Sequence, residues 1–322
     1  MGPISMSYLK AIIVGFILSL FSMAAMGQDL AQEEQNISLE KAAKKSNNPI
    51  SDIWLMVFQN DATILDGDLV EDTQIWNNFK FQPVISIPFL EDSWNFVVRP
   101  VFAFNSLPLD SDVGNLVSSS LEQIFTDPAL AGIASSPFGR NSGLGDTVLL
   151  TLAGPNTEDG WIYAGGISQI FPTATDDLLG QGKYQIGPAA LIARLGNSHG
   201  DFTDIESWNI GVLPQQWWSV AGPEGRSFAN HADIQYFINY KLNATQMIGM
   251  TPNISINWNA DGGFSDKVSL PVGLGTIGMF RLGKVPVRWG AEAQYYLTGP
   301  ENVRRQANFR LFFAPIIPNL FK

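Results

Sequence analysis

The chain has no cysteine, which removes disulfide scaffolds, thiol nucleophiles and cysteine-ligated metals together. It has two histidines, His199 and His231, so there is little imidazole for zinc sites or serine triads. Basic charge is scarce as well. Against 30 Asp and Glu stand 19 Lys and Arg, a net charge of -11, and a surface that binds phosphate needs the opposite sign, so no nucleic acid is expected as a partner. Beyond the first 25 residues there is no long apolar run, so any membrane insertion of the remainder must use strands closed into a barrel.

The one apolar run, Ala11 to Ala25, follows Lys10 and ends in Ala25-Met26-Gly27, a small-x-small cleavage pattern. At about 15 residues it falls short of the roughly 20 that a spanning helix needs. Residues 1–27 are therefore expected to be a signal peptide, 28–50 a polar segment forming a tail or short helix, and 51–322 the folded body.

What that body contains is alternation. In "VRWGAEAQYYL" (287–297), Val287, Trp289, Ala291, Ala293, Tyr295 and Leu297 share one face, while Arg288, Gly290, Glu292, Gln294 and Tyr296 share the other. "HADIQYFINY" and "NISINWN" behave alike. Strands are expected near 53–60, 74–89, 94–106, 144–154, 160–171, 183–195, 206–220, 229–240, 245–258, 266–282, 285–298 and 303–314. Alternation alone suits a sandwich with its apolar face inward or a membrane barrel with that face outward. Connection lengths favour the barrel, because longer connections tend to alternate with short turns. The expected fold is all-β: a transmembrane antiparallel up-and-down barrel of about 12 strands, both termini on the periplasmic side.

Two hairpins fix expected registers. A turn at Glu91-Asp92 sets Phe89 opposite Trp94, Ile87 opposite Phe96, Ile85 opposite Val98 and Pro83 opposite Pro100, all on the apolar face. A loop over 299–303 sets Glu292 opposite Arg310, Gln294 opposite Asn308 and Tyr296 opposite Arg304. Prolines 188, 214 and 271 inside expected strands mark either bulges and early strand ends or kinks that leave a gap in the wall.

The ordered motifs "GLGDTVLL" (143–150), "FPTATDDLLGQGKYQIGPAALIARLG" (171–196), "WSVAG" (218–222), "QYFINYKL" (235–242), "ISINWNA" (254–260) and "LPVGLGTIGMFRLGKVPV" (270–287) resemble the outer-membrane family named for the meta pathway of phenol degradation. The resemblance covers about 140–315. It implies a Gram-negative outer-membrane barrel that transports small, often aromatic, compounds, and it carries no catalytic residues. Two positions depart from the pattern: the chain ends Phe321-Lys322 rather than in an aromatic, and Arg194 stands where an apolar or aromatic residue is expected.

On that reading the charged faces look into the lumen, and the candidate lining residues are Lys80, Gln82, Arg99, Asp233, Gln235, Asn253, Asn257, Arg288, Glu292, Gln294, Arg304, Asn308 and Arg310. No catalytic, cofactor or metal site is expected. The histidine contexts show no serine pairing, with His199 in a solvated connection and His231 in polar lumen packing. Asp61, Asp66, Asp68, Glu71 and Asp72, and Asp176 with Asp177, lack the spacing of a calcium-binding hand, leaving solvated loop charge or divalent bridges to lipopolysaccharide. "NNPISDIWLMVFQN" (47–60) is apolar but alternates poorly, which suggests that part of it plugs the lumen. Residues 107–142 hold enough Leu and Ile for a helical segment at the external mouth.

The function expected is an outer-membrane channel or transporter for small hydrophobic or aromatic solutes. Its partners would be outer-membrane lipid, lipopolysaccharide and the barrel assembly machinery. The alternatives are a structural or surface-interaction barrel with a plugged lumen, and a soluble periplasmic β-sandwich that binds ligands.

Overall fold

A computed structural model describes residues 39–67, 73–91, 93–108, 140–157, 159–301 and 303–319. Helix α1 (Leu39–Asn47) leads into fourteen strand segments: β1 (Trp54–Asp66), β2 (Gln74–Phe89), β3 (Trp94–Leu107), β4 (Asn141–Leu144), β5 (Thr147–Pro155), β6 (Trp161–Phe171), β7 (Tyr184–Leu195), β8 (Trp208–Ala221), β9 (Asn230–Asn243), β10 (Gln246–Met250), β11 (Asn253–Asn257), β12 (Val268–Leu282), β13 (Val285–Thr298) and β14 (Arg304–Ile317). Each pairs antiparallel with its neighbours, and β14 pairs with β1 to close the sheet. Because β4 with β5 and β10 with β11 each share one position in the wall, the barrel has twelve strands. Closure into a single sheet removes the sandwich alternative, and it leaves no unpaired edge.

The direction of the faces follows from parity. Outward positions are apolar and bare: Phe96, Phe102, Phe104, Ile167, Ile192 and Phe309 are exposed, and Leu274, Tyr295 and Leu311 are 64%, 61% and 60% exposed. A soluble surface rarely carries so broad an apolar belt, whereas lipid favours it. Aromatic side chains collect at the rims. Phe89 with Trp94, Trp161 with Tyr163, and Phe202 with Trp208 and Tyr240 ring the end where β1 begins and β14 finishes, the terminal end of the barrel. Phe171 with Tyr184 marks the opposite, loop-bearing end. Such amphipathic rings suit a membrane–water boundary. Arg194 lies at the terminal rim, where its guanidinium pairs with Glu206 and sits 5.7 Å from the Trp161 ring centre, so its charge is matched just where lipid gives way to water.

The hairpin registers follow the parity reading. Phe89 faces Trp94, Ile87 faces Phe96 and Ile85 faces Val98. The turn is tight enough that Leu90 and Glu91 take φ of 52° and 55°. Across Pro83 and Pro100 the β2–β3 ladder is interrupted, and the same register resumes at Phe81 and Phe102. Pro271 sits at a register shift and Pro214 within a continuous ladder, while Pro188 pairs with Ile167 on one side and interrupts the β7–β8 ladder on the other, which resumes in the same register at Ala189, so the strands stay neighbours across all three prolines.

Three expected boundaries change. The strand placed near 53–60 continues to Asp66, because the period-2 pattern runs on through Asp61, Thr63 and Leu65 on one face and Ala62 and Ile64 on the other. The strand placed at 245–258 breaks at Thr251-Pro252, since proline has no N–H to give the ladder. Residues expected to plug the lumen within 47–60 divide at Ile53: 54–60 belong to the wall, while α1 and the turn after it fill the terminal end of the lumen. There Ala42, Ala43 and Ile53 pack on Leu55, Met279, Ala314 and Ile316, and Ile50, fully buried, packs among Val97, Leu150, Leu152, Ile162, Leu191 and Leu213. The expected signal peptide, and nearly all of the helical segment expected over 107–142, lie outside the described residues.

Candidate functional site

The lumen holds two adjoining cavities, one of about 320 Å³ toward the loop end and one of about 180 Å³ toward the terminal end. Gln59, Gln82, Arg99, Gln235 and Arg310 line both, so they form the waist where the two meet. Of the sequence-derived candidates, Lys80, Gln82, Arg99, Asp233, Gln235, Asn253, Asn257, Gln294, Asn308 and Arg310 line the larger cavity, and Arg288 and Glu292 line the smaller.

Arg304 lines neither. It is half-exposed at the rim, 3.6 Å from Asp66, and Arg305 takes the inward position instead. The cause is a bulge. Where β1 steps one residue from Ile64 to Leu65, β14 steps two from Ala307 to Arg305, so Gln306 is left over and the parity of everything before it inverts. Arg305 then lies 5.5 Å from the Trp76 ring centre and 5.8 Å from that of Tyr296.

The polar wall is organised around Asp61, a residue that a strand ending at 60 leaves in a solvated loop. It is buried in the lumen, and four donors from three strands converge on it: Arg310 Nε at 2.8 Å and Asn308 Nδ2 at 3.0 Å on Oδ1, Gln59 Nε2 at 2.7 Å and Lys80 Nζ at 3.1 Å on Oδ2. The register sets this up, because Asp61 stands directly across from Arg310 on one side and Asn78 on the other. A buried carboxylate is tolerable only when paired and hydrogen-bonded in this way. Its strand carried a usable signal: Gln59, Asp61 and Thr63 recur at period two.

Glu292 also stands across from Arg310, as the hairpin register requires, but the two take different partners. The break at Thr251-Pro252 frees the Thr251 backbone, whose N–H donates to Glu292 Oε1 at 3.0 Å and whose carbonyl accepts from Arg310 Nη1 at 2.7 Å. Beyond it Asn253 Nδ2 donates to Asp233 Oδ1 at 2.7 Å, and Asn308 Nδ2 reaches Gln294 Oε1 at 3.1 Å. The chain β1–β14–β13–β11–β9 is thus laced by hydrogen bonds across the lumen. At the terminal end Arg288 Nη1 donates to the Ser46 carbonyl, and Asn95 Nδ2 donates to the Ile50 carbonyl at 2.7 Å, so the lumenal segment is held at both of its turns.

His231 faces the lumen from β9, stacked on Trp217 with ring centres 5.0 Å apart and its Nε2 2.7 Å from Gln185 Oε1. His199 is exposed in the connection between β7 and β8. Asp66 accepts from Gln306, Asp177 pairs with Arg226, and Asp176 caps the Leu178 N–H at 2.9 Å. Asp68, Glu71 and Asp72 lie outside the described residues. The 172–183 connection folds toward the larger cavity, where Leu179 is buried and Asp146 accepts the Gln181 N–H at 2.8 Å.

No family model and no curated protein matches the chain. Among solved structures, the COG4313 outer membrane channel from Pseudomonas putida F1 is similar, with a TM-score of 0.55 at 12% identity over 82% of this chain and 94% of that one. The NanC porin (TM-score 0.43, 10% identity, 80% and 98% covered) and the Pseudomonas putida toluene transporter TodX (0.38, 9%, 86% and 93%) are more distant. The first of these likenesses places the chain among barrels of the outer-membrane type.

Proposed function

We propose that the protein is an outer-membrane channel for small solutes. The observation that carries this reading is the pair of cavities meeting at Gln59, Gln82, Arg99, Gln235 and Arg310 inside a closed barrel whose outer face is apolar. Solute would follow the polar side of the lumen, with its terminal exit controlled by residues 39–53. Trp76, Trp217 and Tyr296 in the larger cavity suit the small aromatic compounds that the family resemblance implies. With the termini taken as periplasmic, the rim aromatics meet lipid headgroups, lipopolysaccharide surrounds the loop end, and the barrel assembly machinery inserts the chain.

Planar-bilayer recording of the purified barrel tests the reading. Discrete conductance is expected, rising in Arg288→Gln, which releases the Ser46 carbonyl. The absence of current from both proteins, each shown to be folded by heat-modifiable gel mobility, would instead support a plugged structural barrel.

A further inference from the structure

The lumen does not share the acidity of the whole molecule. Among strand residues lining the two cavities, Lys80, Arg99, Arg288, Arg305 and Arg310 stand against Asp61, Asp233 and Glu292, five basic to three acidic, in a chain of net charge -11. Most of these cations are engaged: Lys80 and Arg310 on Asp61, Arg288 on Ser46 and Arg305 over two aromatic rings. Arg99 is different. Its Nε, like that of Arg305, is buried with no hydrogen-bond partner, but no aromatic ring among the described residues lies over it, and the acid whose charge reaches it, Asp233, is bonded to Asn253 instead.

Its surroundings are equally uneven. Arg99 faces Leu150 across the β3–β5 ladder, and Val97 opposite Leu152, one step toward the terminal end, belongs to the packed apolar cluster. One step toward the loop end, Val101 faces Val148, which in turn faces Ile170, and these three form an apolar shelf in the larger cavity. Trp217 on the same cavity also has a buried indole N–H without a partner. A guanidinium whose buried Nε–H has no acceptor is costly, so the site favours a ligand that brings an anionic acceptor to Arg99 and an apolar body to the shelf.

We propose that Arg99 binds the carboxylate of a small aromatic or aliphatic acid at the waist of the lumen, the acid's apolar body lying against Val101, Val148 and Ile170. This deepens the channel reading and rests on it, naming the solute class as organic monocarboxylates.

Calorimetric titration of the folded, detergent-solubilised protein tests the site with benzoate, benzamide and inorganic phosphate. Benzoate should bind, with benzamide and phosphate at least about tenfold weaker, since one lacks the charge and the other the apolar body. Arg99→Gln should weaken benzoate about ten- to hundredfold, the range that a charged hydrogen bond commands, and Arg99→Lys should retain most of the affinity. Equal binding of benzoate and benzamide, equal binding of phosphate, or undiminished benzoate binding by Arg99→Gln would each overturn the proposal. Should Arg99→Gln not fold, the ligand comparison on the unmodified protein and on Arg99→Lys decides. Conductance with no discrimination between benzoate and benzamide would leave the channel and remove the site; benzoate binding without any conductance would remove the channel reading.

Discussion

The two sides of the lumen are built to opposite rules. Along β5 to β8 the inward residues Leu150, Leu152, Ile162, Ala164, Ala189, Leu191, Ala193 and Leu213 are buried and apolar, and they close on Ile50 as the core of a soluble protein would. Along β1, β2, β13 and β14 the inward residues include Asp61, Lys80, Gln294, Asn308 and Arg310, joined by hydrogen bonds that are charge-assisted at Asp61 and bordering open space. Both sides show the same outward apolar face. The difference teaches that alternation identifies the outward apolar side everywhere, whereas the inner face is divided between a packed half that anchors the N-terminal segment and a polar half that borders the cavities.

The sharpest way to break that division is at Asp61. Asp61→Ala leaves Arg310, Lys80 and Asn308 without their shared acceptor, and a loss of about 3–5 kcal/mol is expected for breaking a buried pair. It should appear as a lower urea midpoint for loss of the compact gel species. Adding Arg310→Met should recover part of the loss, because the uncompensated charge goes with it. If Asp61→Ala unfolds no earlier than the unmodified protein, the polar side is not structurally coupled.

On the packed side, Leu191→Ala is expected to cost about 3 kcal/mol through lost burial and the cavity left behind. On the proposed channel reading its conductance should stay close to that of the unmodified protein, since Leu191 lines neither cavity; a large change in current would merge the two halves. A smaller effect is expected for Arg288→Gln, about 1–2 kcal/mol for one hydrogen bond from a charged donor. Proteolysis within 39–53 should then quicken while the wall strands remain resistant.

The smallest effect lies outside both halves, in the connection between β7 and β8. There the Ser198 hydroxyl, 2.7 Å from Asp204, and the Glu206 N–H hold the Asp204 carboxyl below its ordinary range. A carboxyl lowered by folding contributes stability above the ordinary carboxylate value, and that contribution is lost as pH falls through the lowered one. Asp204→Asn should therefore melt slightly earlier than the unmodified protein at pH 7, and the two curves should converge in acid. A difference that persists unchanged to low pH would assign the effect to shape rather than charge.

Much of this arrangement is legible in the residues, and the exceptions have local causes. The register of β2 with β3, and that of β13 with β14 as far as Tyr295 opposite Ala307, follow from turn length and parity alone, because a slip of one residue would turn every apolar side chain inward; the expected pairing of Tyr296 with Arg304 does not form, because the same register brings Tyr296 level with Gln306 at the bulge. Arg305 was not legible because a bulge at Gln306 leaves no mark in composition, and parity counts cannot see an extra residue. Asp61 was missed for a different reason: with Asp66 and the acids that follow, it reads as the start of a charged loop, and only its spacing from Gln59 and Thr63 reveals the strand. Thr251 could not be found at all from side-chain type, since it acts through its backbone at a break that Pro252 creates. The bare Arg99 depends on which neighbours fail to reach it, which is a property of three dimensions.

The pairing of Asp61 with Arg310 joins residues 249 apart in sequence, across the one seam where the first strand meets the last. Every other neighbouring pair of strands is joined by a single connection, the longest running from Leu107 to Asn141, while this seam must wait until the rest of the sheet has curled round and the largest loop of all has been closed. The ion pair is therefore absent from every open intermediate. It acts as a latch that slows reopening more than it hastens closing, and in Asp61→Ala the faster rate should be that of unfolding.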